Sequence, residues 1–132
     1  MSNALYPKFK EYLLDVLMTS TVKAQLVDLA NYTYSAAHQF LSDIPVGARV
    51  GAPVTLTGKS VTNGIFDAND PTWSGLSSAP SIEAVAYYID TGVEGTSRIA
   101  YFMDTATGLP IAAGATGGTL THDNGANKVF AL

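Results

Sequence analysis

The chain has 132 residues, of which 47% are hydrophobic and only 14% are charged, and its formal net charge is −4. This length favours one domain whose core is large enough to need no disulfide or metal. The excess of acidic over basic side chains argues against a nucleic-acid-binding protein. The absence of cysteine excludes a disulfide framework and a thiolate site, and no apolar run reaches the roughly 20 residues of a membrane span.

Residues 1–20 are predicted to form an N-terminal helical segment. Apolar residues recur there with the period of one helix face, namely Leu5, Phe9, Tyr12, Leu13, Val16 and Leu17. Because proline is tolerated only in the first turn, Pro7 places the helix near residues 4–17, with Ser2 or Asn3 as its cap. Two interpretations of the apolar face stay open: it packs on the core of its own chain, or it packs on a neighbouring subunit.

Residues 21–132 are predicted to form a single β-sandwich-like domain. Alternating apolar residues predict strands at residues 22–26 and 49–57, and two further strands are predicted at residues 81–89 and 98–103. Pro53 lacks a ladder donor, so its strand is expected at a sheet edge. The strand at 81–89 is apolar on both faces, which predicts a central position.

Turn residues connect the remaining strands. Asn63-Gly64 predicts a tight hairpin turn or a bulge, and residues 119–122 and 128–132 are expected to form a closing hairpin across Asp123-Asn124-Gly125. The sequence therefore predicts a mainly β fold, a β-sandwich or small barrel with a short N-terminal helix.

One motif suggests catalysis. Asp90-Thr91-Gly92 follows an apolar strand, which resembles the half-site of a retroviral-type aspartic protease, where two subunits share a proton between two carboxylates. Only 42 residues follow Asp90, too few for the flap and supporting segment of that fold. Since Asp-Thr-Gly is also a common strand-end turn, an aspartic-type hydrolase using Asp90 is only a remote alternative.

No metal, cofactor or catalytic residue is assigned from the sequence. Asp67 and Asp70 could present oxygens to a cation, but the run lacks the ligand pattern of a calcium loop, and a turn is the favoured interpretation. His38 and His122 are too far apart in sequence to support a metal-ligand spacing.

Several stretches give the whole string a resemblance to a known family. They are NALY at 3–6, VKAQLVD at 22–28, YTYSAAHQFLSDIP at 32–45, GARV at 47–50, LTGKSVT at 56–62, GIFDA at 64–68, DTATGLP at 104–110 and DNGANKVF at 123–130. In them the chain resembles small virion structural proteins of tailed bacteriophages over nearly its full length. It departs from the family's pattern around residues 15–20 and 73–78. The members of that family share their presence in the virion and not a catalytic motif. The resemblance therefore assigns no functional residue to this chain.

The resemblance implies a structural, non-enzymatic role. The expected role is capsid decoration, or cement: a protein on the outer head surface that binds the major capsid protein and copies of itself, with a homotrimer favoured. The alternative is a neck or tail component of the same virion, and synthesis in the bacterial cytoplasm is implied in either case. Neither nucleic acid nor membrane is expected as a partner. The candidate interface residues are Phe9, Tyr12, Leu13 and Trp73.

Overall fold

A computed structural model describes residues 3–77, 79–122 and 128–132. It is mainly β, as predicted, with a short helical segment before the first strand. The elements are α1 (Pro7–Leu13), α2 (Asp15–Thr19), β1 (Val22–Val27), β2 (Arg49–Thr55), β3 (Ser60–Thr62), β4 (Ile65–Asp67), β5 (Thr72–Trp73), β6 (Ala84–Ile89), β7 (Ile99–Met103), β8 (Gly118–Thr119) and β9 (Phe130–Ala131). Neither helix in the described part of the chain has the length and apolar character needed to cross a bilayer.

A four-stranded antiparallel sheet with the order β2-β1-β6-β7 forms the centre of the molecule. The prediction of a central strand at 81–89 is confirmed, since β6 pairs on both sides and five of its six residues are buried. The strand that contains Pro53 lies at the edge, as expected. A bulge interrupts its pairing with β1, and Gln25 fills it by donating from Nε2 to the carbonyls of Val50 (3.0 Å) and Gly51 (3.2 Å).

The larger core lies between one face of this sheet and a second layer. That layer contains a three-stranded sheet of order β3-β4-β9 and a two-stranded sheet of β5 and β8. Phe66, Tyr87 and Leu120 are almost completely buried there. The arrangement is that of two packed layers, and the described strands do not close into a barrel.

A smaller core covers the opposite face of the central sheet. Its buried members are Val27, Tyr32, Ile44, Ala48, Ala84 and Ala86. The cover comes from residues 28–48, which contain two single 3₁₀ turns, Leu41–Asp43 and Val46–Ala48. Because side chains alternate along a strand, β6 directs Val85 and Tyr87 into the larger core and its two alanines into the smaller one.

The hairpin at Asn63-Gly64 is confirmed. β3 and β4 pair directly on either side of it, and both turn residues have positive φ, 53° at Asn63 and 85° at Gly64. Positive φ at both central residues of a two-residue loop is the feature of a type I′ turn, whose twist matches that of the flanking strands.

The predicted closing hairpin is wrong for the described strands. β8 pairs with β5, where Thr119 lies opposite Thr72, and β9 pairs with β4, where Phe130 lies opposite Phe66. The proposed turn, Asp123-Asn124-Gly125, lies outside the described residues. The two strands therefore pair with distant parts of the chain and not with each other. The last residues do belong to a sheet, as expected.

The predicted helix near 4–17 is wrong in its bounds. Two short helices meet at Leu14, which ends α1 with φ −87° and ψ −1° and precedes Asp15 at the start of α2. Pro7 occupies the first helical position as expected, but the cap is Tyr6, which makes no side-chain cap bond, and not Asn3. The other suggested cap, Ser2, lies outside the described residues.

Candidate assembly surface

Helix α1 attaches to its own domain through polar groups. The Glu11 carboxylate accepts the backbone N–H of Asn63 (2.9 Å) and also contacts Nζ of Lys8 (3.1 Å). These hydrogen bonds, the one from Asn63 first, lower the pKa of Glu11. The side chain of Lys10 lies directly over Gly64, where an added Cβ would be 2.6 Å from the Lys10 Cβ.

Lys59 and two leucines hold the second half of the segment. The Lys59 ammonium donates to the carbonyl of Leu17 (2.8 Å) near the end of α2 and to the carbonyl of Ser20 just beyond it. A cation at a helix C-terminus satisfies carbonyls that have no partner within the helix. Leu14 and Leu17 enter the larger core, so α2 is fixed to the domain while α1 contributes no buried residue.

The apolar face of the segment points away from the domain. Its exposed side chains, between 40% and 82% accessible, are Leu5, Tyr6, Phe9, Tyr12, Leu13, Val16 and Met18. The rings of Phe9 and Tyr12 stack with centroids 6.3 Å apart. A helix that stabilises its own fold buries its apolar side, whereas α1 buries no residue and contacts its domain through Lys10 and Glu11. A concentration of exposed large apolar side chains in one segment is typical of an interaction site.

We call these seven residues the apolar helix face. A ring residue buries about 200 Å² when fully covered. From their exposures of 82%, 49% and 75%, Tyr6, Phe9 and Tyr12 alone offer about 400 Å², roughly half of the about 800 Å² that each partner contributes to a standard interface. The face is therefore large enough to serve as the main part of a protein contact.

The four predicted interface residues do not lie together. Phe9, Tyr12 and Leu13 all belong to the apolar helix face. Trp73 does not: it lies in β5, is only 3% exposed and packs in the larger core. Because its side chain is buried in the described fold, Trp73 is removed from the candidate surface.

The Asp90 carboxylate is occupied by a turn and an ion pair. Its Oδ1 accepts the backbone N–H of Gly92 (3.0 Å), and its Oδ2 lies 2.9 Å from Nζ of Lys23 on the neighbouring strand β1. The hydrogen bond from Lys23 and then that from Gly92 lower the pKa of Asp90. A strand-end turn and an ion pair thus account for both oxygens of the Asp90 carboxylate.

Asp70 and His122 meet in a way that the sequence did not indicate. Asp70 Oδ1 accepts the backbone N–H of His122 (2.8 Å), and the buried imidazole bonds through Nε2 to the hydroxyl of Tyr87 (2.8 Å) and through Nδ1 to the carbonyl of Ala68 (2.9 Å). Burial raises the pKa of Tyr87. Among residues 3–77, 79–122 and 128–132, no group of three or more His, Asp or Glu side chains could hold a metal ion.

A groove of about 490 Å³ opens on the face of the central sheet that carries the smaller core. Tyr32, Tyr34 and Phe102 form its walls and Asp104 lies at its border. Sequence reasoning missed it, although the alternation of Ala84 and Ala86 with Val85 and Tyr87 contains the signal: one face of the strand is left with little side-chain volume.

A comparison of the sequence with protein-family models found no match, and a comparison with curated proteins found none either.

Proposed function

We propose that this protein is a structural component of a bacteriophage virion that decorates the outer head surface. In this role it binds the major capsid protein and copies of itself, and it stabilises contacts between neighbouring capsid subunits. It acts without catalysis or cofactor. The string of residues that resembles small virion proteins of tailed phages supports the choice of particle, and the apolar helix face is the single observation that carries the assembly role.

The polar attachment of α1 to its domain supports an assembly role. If the helix served only the monomer, Tyr6 and Tyr12 would gain by turning toward the core, because burying a large side chain is worth about 1.5–3 kcal/mol. Instead Glu11 and Lys10 hold the opposite side against the hairpin at Gly64. The exposed aromatic residues are therefore stabilised only when another protein covers them.

Weak contacts suffice for such a role. A shell presents many equivalent sites, and a small oligomer that engages several of them multiplies a modest contact energy. The low content of charged residues, 14%, suits a surface that is covered in the assembled particle, because charged residues are depleted in the centres of interfaces.

Copy number in purified particles tests this proposal most directly. Decoration requires on the order of hundreds of copies on the head, following the shell's symmetry. A count of about six or twelve would instead indicate a ring in the neck or tail, and absence from particles would refute the virion role. Heads that lack the protein are expected to lose DNA at lower temperature than complete heads; equal heat resistance would refute the cement function.

A matched pair of variants tests the helix. Phe9→Asp is expected to remain folded, because α1 has no buried residue, and to lose binding to heads that lack the protein. Val93→Asp places the same charge at a side chain that is 60% exposed in the loop between β6 and β7, and is expected to bind as the wild type does. Equal binding by both variants would contradict the proposal.

A further inference from the structure

The groove on the smaller-core side has a floor of small side chains and aromatic walls. Ala86 and Ala100 contribute only methyl groups to its lining. Phe102 lies between the two tyrosine rings of the walls, with centroid distances of 6.2 Å to Tyr32 and 5.4 Å to Tyr34. The Tyr32 hydroxyl is bonded to Nδ1 of His38 at 2.8 Å, which fixes the ring. The site is thus preorganised to receive apolar side chains.

Its chemistry matches the apolar helix face of the same chain. Offset or edge-to-face aromatic pairs add about 0.5–1.5 kcal/mol beyond the burial of area, and Tyr34, 58% exposed, is free to form them. Charge agrees as well: Lys8 beside the helix face contacts Glu11 at 3.1 Å but its basic side chain stays 77% exposed, and Asp104 at the border of the groove is exposed and acidic. A helix that inserts anchors spaced by three or four residues into a groove is a common mode of recognition.

The two surfaces cannot meet within one copy as the chain is folded. The helical segment lies on the side of the larger core, into which Leu14 and Leu17 project. The groove lies on the other face of the central sheet, over Ala86. Two complementary patches on opposite sides of a molecule produce a head-to-tail contact, which closes into a ring when the rotation between copies permits it.

We propose that the apolar helix face of one copy binds in the groove of a second copy, with Phe9 and Tyr12 packed against the exposed sides of Tyr34 and Phe102. The partner of the helix is thus a second copy of the chain and not the capsid protein. Only the expected number of copies, three in a closed ring, rests on the proposed function. The contact area agrees: the about 400 Å² offered by the three aromatic side chains is a central part of the about 800 Å² per partner in a standard interface.

Complementation between two variants tests the contact in the purified full-length protein. The helix variant is Phe9→Ser with Tyr12→Ser, and the groove variant is Ala100→Trp, which fills the groove from an exposed position. Matched controls are Val93→Ser and Ala52→Trp, both at exposed positions outside the two surfaces. Mass is measured by sedimentation over a concentration series, and thermal unfolding confirms that each variant is folded.

The wild type and both controls are expected to form the ring. Each variant alone is expected to be monomeric or to self-associate at least tenfold more weakly, as the loss of an interface anchor predicts. The mixed variants are expected to form a one-to-one dimer, because one copy keeps an intact helix and the other an intact groove. A monomeric wild type, an oligomeric groove variant or the absence of a mixed dimer would each overturn the inference.

Binding to heads separates this inference from the proposed function. Wild-type protein that binds heads but is monomeric in solution and insensitive to Ala100→Trp refutes the contact between copies and leaves the decoration role intact. Wild-type protein that forms the ring but is absent from heads refutes the decoration role alone.

Discussion

Replacing Gly64 by alanine tests how the helical segment is held to its domain. Gly64 has a φ of 85°, and Gly92 has the same φ with no atom within 4 Å of an added Cβ. Each alanine variant therefore carries the same backbone strain, about 1–2 kcal/mol for an L-residue in the left-handed region. Gly92→Ala is the matched control, because it contains the strain and nothing else.

Only the Gly64 variant also displaces a neighbour. Its Cβ would lie 2.6 Å from Cβ and 3.0 Å from Cδ of Lys10, and a Cβ cannot move without its helix. Forcing extra volume into an occupied space costs about 1–3 kcal/mol, so Gly64→Ala is expected to lose that much stability beyond Gly92→Ala. For a chain of this size, 1 kcal/mol corresponds to about 3–4 °C in Tm.

Urea unfolding of both variants measures the difference, and trypsin reports where it arises. Displacement of α1 is expected to speed cleavage after Lys8 and Lys10 in Gly64→Ala but not in Gly92→Ala. Equal losses of stability together with equal cleavage rates would show that Lys10 does not lie on Gly64, and would remove the argument that the polar side of α1 faces the domain.

Three further outcomes follow from the buried and paired side chains. Gln25→Ala removes the donor that fills the bulge between β1 and β2, so the free energy of unfolding in urea should fall by about 1–3 kcal/mol. A fall of less than about 0.5 kcal/mol, within the range of ordinary surface substitutions, would contradict that role. Tyr87→Phe leaves the buried His122 Nε2 without its partner and should lower the free energy of unfolding by about 1–3 kcal/mol, with an unchanged Tm as the contrary result. The carboxyl of Asp90 has a lowered pKa in the folded state, so its contribution is present above the unfolded value of about 3.9 and is lost as the pH falls through the lower folded value. Asp90→Asn should therefore lower the free energy of unfolding by up to about 1 kcal/mol at neutral pH, the range for a partly exposed ion pair such as that with Lys23. It should have no effect at a pH below the folded pKa of Asp90. An NMR titration that finds a raised wild-type pKa would favour the proton-sharing alternative.

Local signals account for the elements that the sequence predicted correctly. Pro53 placed its strand at an edge because it lacks a donor, and the Asn63-Gly64 pair identified a hairpin because these residues tolerate positive φ. The strand at β6 was recognisable from apolar residues on both of its faces. Each of these conclusions depends on residues within a few positions of one another, which a single sequence displays directly.

The errors and omissions concern partners that are distant in sequence. Trp73 was predicted to lie at an interface, but it is buried in the larger core and pairs with Gly118, 45 positions away. The ion pair of Lys23 with Asp90 depends on the register between β1 and β6, which no local pattern specifies. Five residues of the predicted helix face are exposed, but the sixth, Leu17, is buried in the larger core. The direction of the face depends on Glu11 reaching Asn63, a contact between elements that only the fold brings together.

The opposite character of the two sides of α1 has a consequence for handling and storage. Contacts that depend on covering apolar side chains weaken on cooling and strengthen in sulfate or phosphate, whereas exposed ionic contacts such as that between Lys8 and Glu11 weaken as salt is added. Association through Tyr6, Phe9 and Tyr12 is therefore expected to be favoured by warmth and by such salts. If copies associate through the proposed contact, protein kept on ice is expected to dissociate into folded single copies and to reassemble when warmed.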